Sequence, residues 1–159
     1  MDIPLITQAR LKELVSYDPE TGVMLCLTRR AHRCPVGSIA GNPGTDGHLK
    51  AKFEGRMYLI HRLAWLYMTG DWPRHQIDHI NGNPADNRWP NLRDVPQAIN
   101  NQNQRKPQRI NKTGFLGVVC RDGRYTSKLG KHLGSFNTGE EAHAAYLKAK
   151  RANHPGCTI

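Results

Sequence analysis

Ile77-Asp78-His79-Ile80-Asn81-Gly82-Asn83 is the segment around which the centre of this 159-residue chain is organised. The residues up to Asp78 predict a short strand, Gln76-Ile77-Asp78, and the Asn- and Gly-rich residues after it predict a polar loop that runs to Pro90. A second strand is predicted at Leu92 to Val95, and a helix from Pro96 to about Gln104. The expected order is therefore strand, loop, strand, helix.

Asp78 and His79 together offer the two residue types that phosphodiester hydrolysis needs. A base must activate water, and a cation must neutralise charge on the phosphorane and on the leaving oxygen. Successive side chains diverge at the end of a strand, so the aspartate can hold a metal while the imidazole addresses water. Asn91 follows 12 positions after His79 and Asn100 follows 21 positions after it.

These residues resemble the HNH nucleases, in particular the homing endonucleases of phages and introns. The resemblance rests on His61-Arg62-Leu63, Ile77 to Asn83, Asn87-Arg88, Asn91-Leu92-Arg93 and Asn100. It implies a ββα-metal fold in which His79 is the general base and Asn91 braces the loop of His79. It also implies that Asp78 and Asn100 ligate one divalent ion, Mg²⁺ or alternatively Mn²⁺.

Other interpretations of the same residues stay open. An Asx-rich loop such as Asn81 to Asn87 is often only a turn, because Asn and Asp bond their own backbone. A calcium loop is disfavoured, since Trp89 stands where its last acidic ligand would be. His61 lies on an apolar helix and is more typical of a packed histidine than of a catalytic one. Arg93 is a candidate for binding a phosphate.

The chain before this segment predicts a small, β-rich region. Thr7 to Val15 has the apolar spacing of a short helix, and the residues from there to Tyr58 alternate short apolar runs with turns. Lys50 to Tyr58 predicts a hairpin around Glu54-Gly55. Leu59 to Met68 places its apolar residues on one helical stripe and predicts a core helix.

The chain after residue 112 predicts a three-stranded sheet that carries one helix. Gly117 to Leu129 contains two β-prone runs around Asp122-Gly123, the preferred chemistry of a type I′ turn, and His132 to Phe136 predicts a third strand. Thr138 and Glu141 fit a capping box that opens a helix.

One face of the predicted hairpin is basic and polar, and suits a DNA groove. Its candidate DNA-binding residues are Arg121, Arg124, Thr126, Lys128 and, just before the next predicted strand, Lys131. The opposite face, with Val118, Cys120, Tyr125, Ser127 and Leu129, is expected to pack on the helix. The segment resembles the plant ethylene-response-factor (Apetala-type) DNA-binding domain in Gly117-Val118, Gly123-Arg124-Tyr125, Leu133 to Phe136 and Thr138 to Tyr146. A basic solvated sheet that binds nothing in particular is the alternative.

Composition favours a polyanionic partner and disfavours a membrane. The formal net charge is +10, the pI is about 9.8, and residues 106–159 hold ten basic residues against three acidic ones. The sequence has no apolar run of the length that a membrane helix needs, which predicts a soluble, cytoplasmic protein. Cys26, Cys34, Cys120 and Cys157 are scattered, so we expect free thiols and no structural zinc.

Together these patterns predict an α+β protein with a ββα-metal HNH core. The expected modules are a β-rich region (1–58), a nuclease module (59–105), a basic linker (106–112) and a sheet-plus-helix DNA-binding module (113–156). The predicted function is a metal-dependent endonuclease on double-stranded DNA, as a monomer or weak dimer in a phage-infected bacterial host. The alternative is a sequence-specific DNA-binding regulator whose nuclease module is inactive.

Overall fold

A computed structural model describes residues 5–29 and 35–159 of the chain. The chain divides into two compact units, Met1–Val95 and Pro96–Ile159. Residue 58, where the sequence places its first module boundary, lies inside the first unit.

The first unit begins with a helix and two small antiparallel sheets. Helix α1 spans Gln8–Leu14, and the Thr7 side chain caps it by accepting a hydrogen bond from the Arg10 amide. The strands that follow are β1 (Val15–Tyr17) paired with β2 (Met24–Cys26), then β3 (Asn42–Pro43), β4 (Leu49–Phe53) and β5 (Arg56–Leu59) in one sheet. The β4–β5 turn has positive φ at Glu54 (47°) and Gly55 (82°), as a two-residue hairpin turn requires.

Helix α2 (Ile60–Thr69) supplies the centre of the core. Its buried residues, Ile60, His61, Leu63, Ala64 and Leu66, form one face, and Gly70 ends the helix in a left-handed conformation. The core also contains residues from either side of α2, among them Leu11, Val15 and Phe53 before it and Ile77 and Leu92 after it. Residues before and after position 58 therefore share one hydrophobic core.

The central segment forms a two-stranded antiparallel sheet. Strand β6 spans Gln76–His79 and strand β7 spans Leu92–Val95, with Asp78 opposite Arg93 and His79 opposite Leu92. A 3-10 turn at Trp89–Asn91 leads into β7. The next element is helix α3 (Gln97–Gln102), the first helix of the second unit.

The second unit contains the sheet and helix expected near the C-terminus. Strands β8 (Val118–Arg121), β9 (Arg124–Leu129) and β10 (Lys131–Phe136) pair in the order β10-β9-β8, and helix α4 spans Gly139–Asn153. Asp122 and Gly123 both have positive φ, at 49° and 74°. Thr138 and Glu141 form the expected capping box.

Cys120 does not occupy the buried position expected of it. Val118 and Ser127, which pair at one end of the hairpin, are buried, whereas Cys120 is exposed. Tyr125, the partner of Cys120 across the hairpin, is half-buried, so the lack of burial is local to Cys120 on the edge strand β8. Strand alternation predicts which side a residue faces but not how completely the helix covers an edge strand.

Cys26, Cys120 and Cys157 are free thiols, and Cys34 lies outside the described residues. Within residues 5–29 and 35–159, no helix combines the length and the apolar character required to cross a membrane.

Gly22 is a position where the fold requires glycine. Its φ is +73°, and a Cβ there would lie 2.5 Å from the Arg88 amide nitrogen and 2.6 Å from the Asn87 carbonyl carbon. Both neighbours are backbone atoms of the loop between β6 and β7. The turn after β1 therefore approaches that loop too closely for any side chain.

We expect Gly22→Ala to lower the free energy of unfolding by about 2 kcal/mol more than Gly37→Ala, as measured by urea denaturation. Gly37 is the matched control, since its φ is also positive (+80°) and no described atom lies within 4 Å of the position that a Cβ would take there. Both variants incur the left-handed strain, so the difference isolates the close approach. Equal losses would contradict this assignment.

Candidate functional site

Asp78 and His79 lie at the end of β6 and are both buried, at 6% and 5% exposure. The side chain of Ile77, just before them, is part of the hydrophobic core and anchors the strand. Burying an ionisable side chain is costly unless it is paired or uncharged. The partners of these two residues therefore determine which charge each one carries.

Asp78 is compensated by Arg93 from the neighbouring strand. Arg93 Nη2 and Nε lie 2.7 Å and 2.8 Å from Asp78 Oδ2, an ion pair that the antiparallel register places directly across the sheet. The Asp78 side chain is 7% exposed and that of Arg93 is 25% exposed. The guanidinium thus balances a carboxylate that is almost removed from water.

His79 is held by Asn87. The His79 Nε2 atom lies 3.3 Å from Asn87 Oδ1, and the Asn87 amide nitrogen donates in turn to the carbonyl of Ala85. In this orientation Nε2–H donates to the amide oxygen, so the imidazole lone pair is on Nδ1. Burial lowers the pKa of His79, while the Asn87 hydrogen bond opposes that change, and the ring is neutral at pH 7.

Asn91 braces the loop between the two strands from within. Its Oδ1 accepts a hydrogen bond from the Asn81 amide at 2.9 Å, and its Nδ2 donates to the carbonyl of Asp86 at 2.7 Å. The Asp86 carboxylate accepts hydrogen bonds from Arg88, which together with burial and its other partners leave its pKa at about 2. The loop that holds Asn87 against His79 is therefore internally bonded.

Residues near the start of the chain also fix this loop. The Tyr17 hydroxyl donates to the Asn87 carbonyl at 2.7 Å, and the Trp89 amide donates to the Pro19 carbonyl at 2.9 Å. Trp89 also contacts Trp65 of α2, with ring centroids 5.1 Å apart. Strand β1 and helix α2 thus support the residue that positions His79.

Two further histidines lie against His79. The ring of His61 is 5.0 Å from that of His79, and the ring of His48 is 5.1 Å and 5.6 Å from the rings of His61 and His79. One potential ligand atom of each of the three lies within 4.8 Å of the others. Burial, with smaller contributions from the neighbouring histidines, lowers the pKa of His61 to about 3.

The remaining predicted site residues lie in the second unit. Asn100, the predicted second metal ligand, is on helix α3. Of the predicted DNA-binding residues there, Thr126 is half-buried and the others are exposed: Arg121, Arg124, Lys128 and Lys131. Arg121 and Arg124 are directly opposite each other across the β8–β9 hairpin.

Sequence patterns assign no role to Asn87 or His48. Asn87 stands in the motif that carried the resemblance, and its position eight residues after His79 suits a loop that returns to the strand. His48 precedes β4 and has no nearby motif. Only the folded chain brings it beside residues 61 and 79.

Comparison with known proteins identifies one family. The model of the HNH endonuclease family matches residues 58–102. No curated protein and no solved structure matches the chain. The matched segment runs from β5 through α3 and includes Asp78, His79, Asn87 and Asn91, the residues whose contacts are described above. Residues 58–102 are therefore an HNH endonuclease domain.

Proposed function

We propose that this protein is a metal-dependent endonuclease that hydrolyses phosphodiester bonds in double-stranded DNA, with His79 as the general base. The observation that carries the proposal is the buried imidazole of His79, oriented by Asn87 and next to Asp78 in the strand. Both residues lie within the HNH endonuclease domain.

His79 would accept a proton from water as that water attacks phosphorus in line. A histidine must be unprotonated to act as a general base, and burial favours that form by lowering the pKa of His79. The Asn87 contact fixes the ring, so the imidazole has little rotational freedom to lose when the transition state forms. Asn91 acts one step further away, by holding the loop that contains Asn87.

Asp78 suits a divalent cation of the magnesium type, because carboxylate oxygens are the ligands such hard cations prefer. A cation bound there would supply positive charge to the phosphorane and the leaving 3′ oxygen. The amide oxygen of Asn100 belongs to the same ligand class, and its role as second ligand stays a sequence-based prediction. Mn²⁺ is the expected substitute for Mg²⁺.

Arg93 has two anions available to it in this proposal. One is the Asp78 carboxylate, with which it forms an ion pair. If Asp78 held a cation, the guanidinium would be available for a DNA phosphate, which its planar set of donors suits. The predicted DNA-binding role of Arg93 is thus compatible with the ion pair that it forms with Asp78.

The C-terminal sheet would anchor the DNA. Like charges directly opposite each other destabilise a hairpin, and the chain nevertheless places Arg121 across from Arg124. A bound phosphate or guanine edge would relieve that repulsion. We further propose that the protein acts as a monomer or weak dimer in the cytoplasm of a phage-infected bacterium, as a homing-type nuclease.

His79→Ala should reduce Mg²⁺-dependent cleavage of plasmid DNA by about 10²–10⁴-fold, the usual contribution of a general base. His75→Ala is the matched control, since His75 belongs to the same unit and its side chain is 52% exposed. Nicked and linear products resolved on agarose gels give the rates. Undiminished cutting by His79→Ala would exclude the mechanism, and no cutting by the wild type would favour the DNA-binding regulator.

Arg93→Met should lower the free energy of unfolding by about 2 kcal/mol, because it leaves the Asp78 carboxylate buried without its counter-charge. Mg²⁺ should stabilise this variant more than the wild type, since Arg93 no longer competes for Asp78. Urea denaturation with and without MgCl₂ measures both effects. Asp78→Asn in the same background is the control and should abolish the gain from Mg²⁺. A gain that persists there would show that Asp78 is not the ligand.

Arg121→Ala and Arg124→Ala should each reduce the slope of log Kobs against log salt concentration by about 0.9 for duplex DNA binding. The measurement uses the full chain with His79→Ala, so that the DNA stays intact. Lys148→Ala is the control, because Lys148 is an exposed cation on α4 rather than on the sheet. A slope that responds equally to all three substitutions would argue against the sheet as the anchor.

A further inference from the structure

His48, His61 and His79 converge from three separate parts of the first unit. His48 precedes β4, His61 is on α2, and His79 ends β6. Their potential ligand atoms lie within 4.8 Å of one another, and His61 and His79 are buried while His48 is half-buried. The proposed hydrolysis uses only His79.

His61 contains the feature that most needs explanation. The residue is 4% exposed, and its Nδ1 atom has no hydrogen-bond partner among the residues that the structure describes. A buried polar atom without a partner costs about 1–3 kcal/mol, so such atoms are rare in folded proteins. An electron-pair acceptor bound at this nitrogen would remove that cost.

The other two histidines already have the outer partners that metal-ligating histidines usually have. His48 Nδ1 lies 3.5 Å from a carboxylate oxygen of Asp46, and His79 Nε2 lies 3.3 Å from the amide oxygen of Asn87. Such contacts fix the ring and direct its remaining nitrogen. The turn that holds His48 is also fixed, because Gly47 packs so closely on Pro84 that a Cβ would lie 2.9 Å from its ring.

The spacing of the three nitrogens suits a small ion after a modest adjustment. Zn–N bonds are about 2.0–2.1 Å long, so nitrogens that share a tetrahedral ion are about 3.3 Å apart. Nitrogens that lie within 4.8 Å of one another would each move inward by less than about 1 Å to reach that spacing. Imidazole nitrogens favour Zn²⁺, Co²⁺, Ni²⁺ or Cu²⁺ over Mg²⁺, which prefers oxygen.

We infer that His48, His61 and His79 form a transition-metal site, distinct from the Asp78 carboxylate, and that Zn²⁺ bound there inhibits DNA cleavage. The inhibitory part rests on the proposed function, because it requires His79 to be the base. An imidazole whose lone pair is donated to an ion cannot accept a proton from water. The same ring would then serve either hydrolysis or the metal, and not both at once.

Co²⁺ is the probe for the site, since its visible d–d absorption becomes intense in tetrahedral coordination. Titration of the metal-free full chain, without DNA or Mg²⁺, should give one equivalent of such a complex, which Zn²⁺ displaces. His48→Ala should weaken Co²⁺ binding by at least about 100-fold, given that even outer-shell partners are worth about 10–100-fold. His75→Ala, which alters an exposed histidine of the same unit, should bind as the wild type does.

A second arm measures inhibition. Zn²⁺ is added to the Mg²⁺-dependent plasmid assay, and each protein is compared with its own rate without Zn²⁺. The wild type and His75→Ala should be inhibited at Zn²⁺ concentrations at least about tenfold below those that inhibit His48→Ala. His48→Ala is preferred to His61→Ala, because the half-buried ring can be removed with less damage to the core.

The outcomes separate the two proposals. Co²⁺ binding that is unchanged in His48→Ala would overturn the site, whether or not the wild type cuts DNA. Loss of Co²⁺ binding together with equal Zn²⁺ inhibition of both proteins would overturn the inhibitory role. If the wild type binds Co²⁺ through His48 but does not cut DNA, the site stands and the nuclease proposal fails.

Discussion

The burial of Asp78 and His79 at the end of strand β6 is the constraint on which the rest of the first unit depends. A carboxylate and an imidazole taken out of water must each be paired or left neutral. Arg93 pairs with the Asp78 carboxylate from across the sheet. Burial lowers the pKa of His79, which favours the uncharged imidazole. The antiparallel register of β6 and β7 thus sets the position of this ion pair as well as the pairing of the two backbones.

The loop between these strands is organised for the same purpose. A long loop with many Asn and Asp residues has many polar groups to satisfy, and here they bond mostly to one another and to Tyr17. This internal bonding lets a loop hold Asn87 firmly enough to orient an imidazole. The loop has no regular secondary structure. Its hydrogen bonds and the close packing of Gly22 against its backbone hold it in place.

Local patterns predicted the local structure well. The bounds of β7, the type I′ turn at Asp122-Gly123 and the capping box at Thr138 depend on residues close in sequence, and each is present. The His79–Asn87 contact, the ion pair of Asp78 with Arg93 and the approach of His48 depend on register and on chain folding. His48 and His61 are 13 residues apart, so no spacing rule for metal sites would have joined them.

The shared core has a consequence for protein engineering. The matched HNH segment begins at residue 58, but Leu11, Val15 and Phe53 pack with its apolar residues, and Tyr17 bonds the loop that orients its histidine. A fusion built from residues 58–102 would expose that apolar face and leave the Asn87 carbonyl unpaired. The smallest portable unit of this chain therefore includes the sheets that precede the family motif, and domain grafts should start before α1.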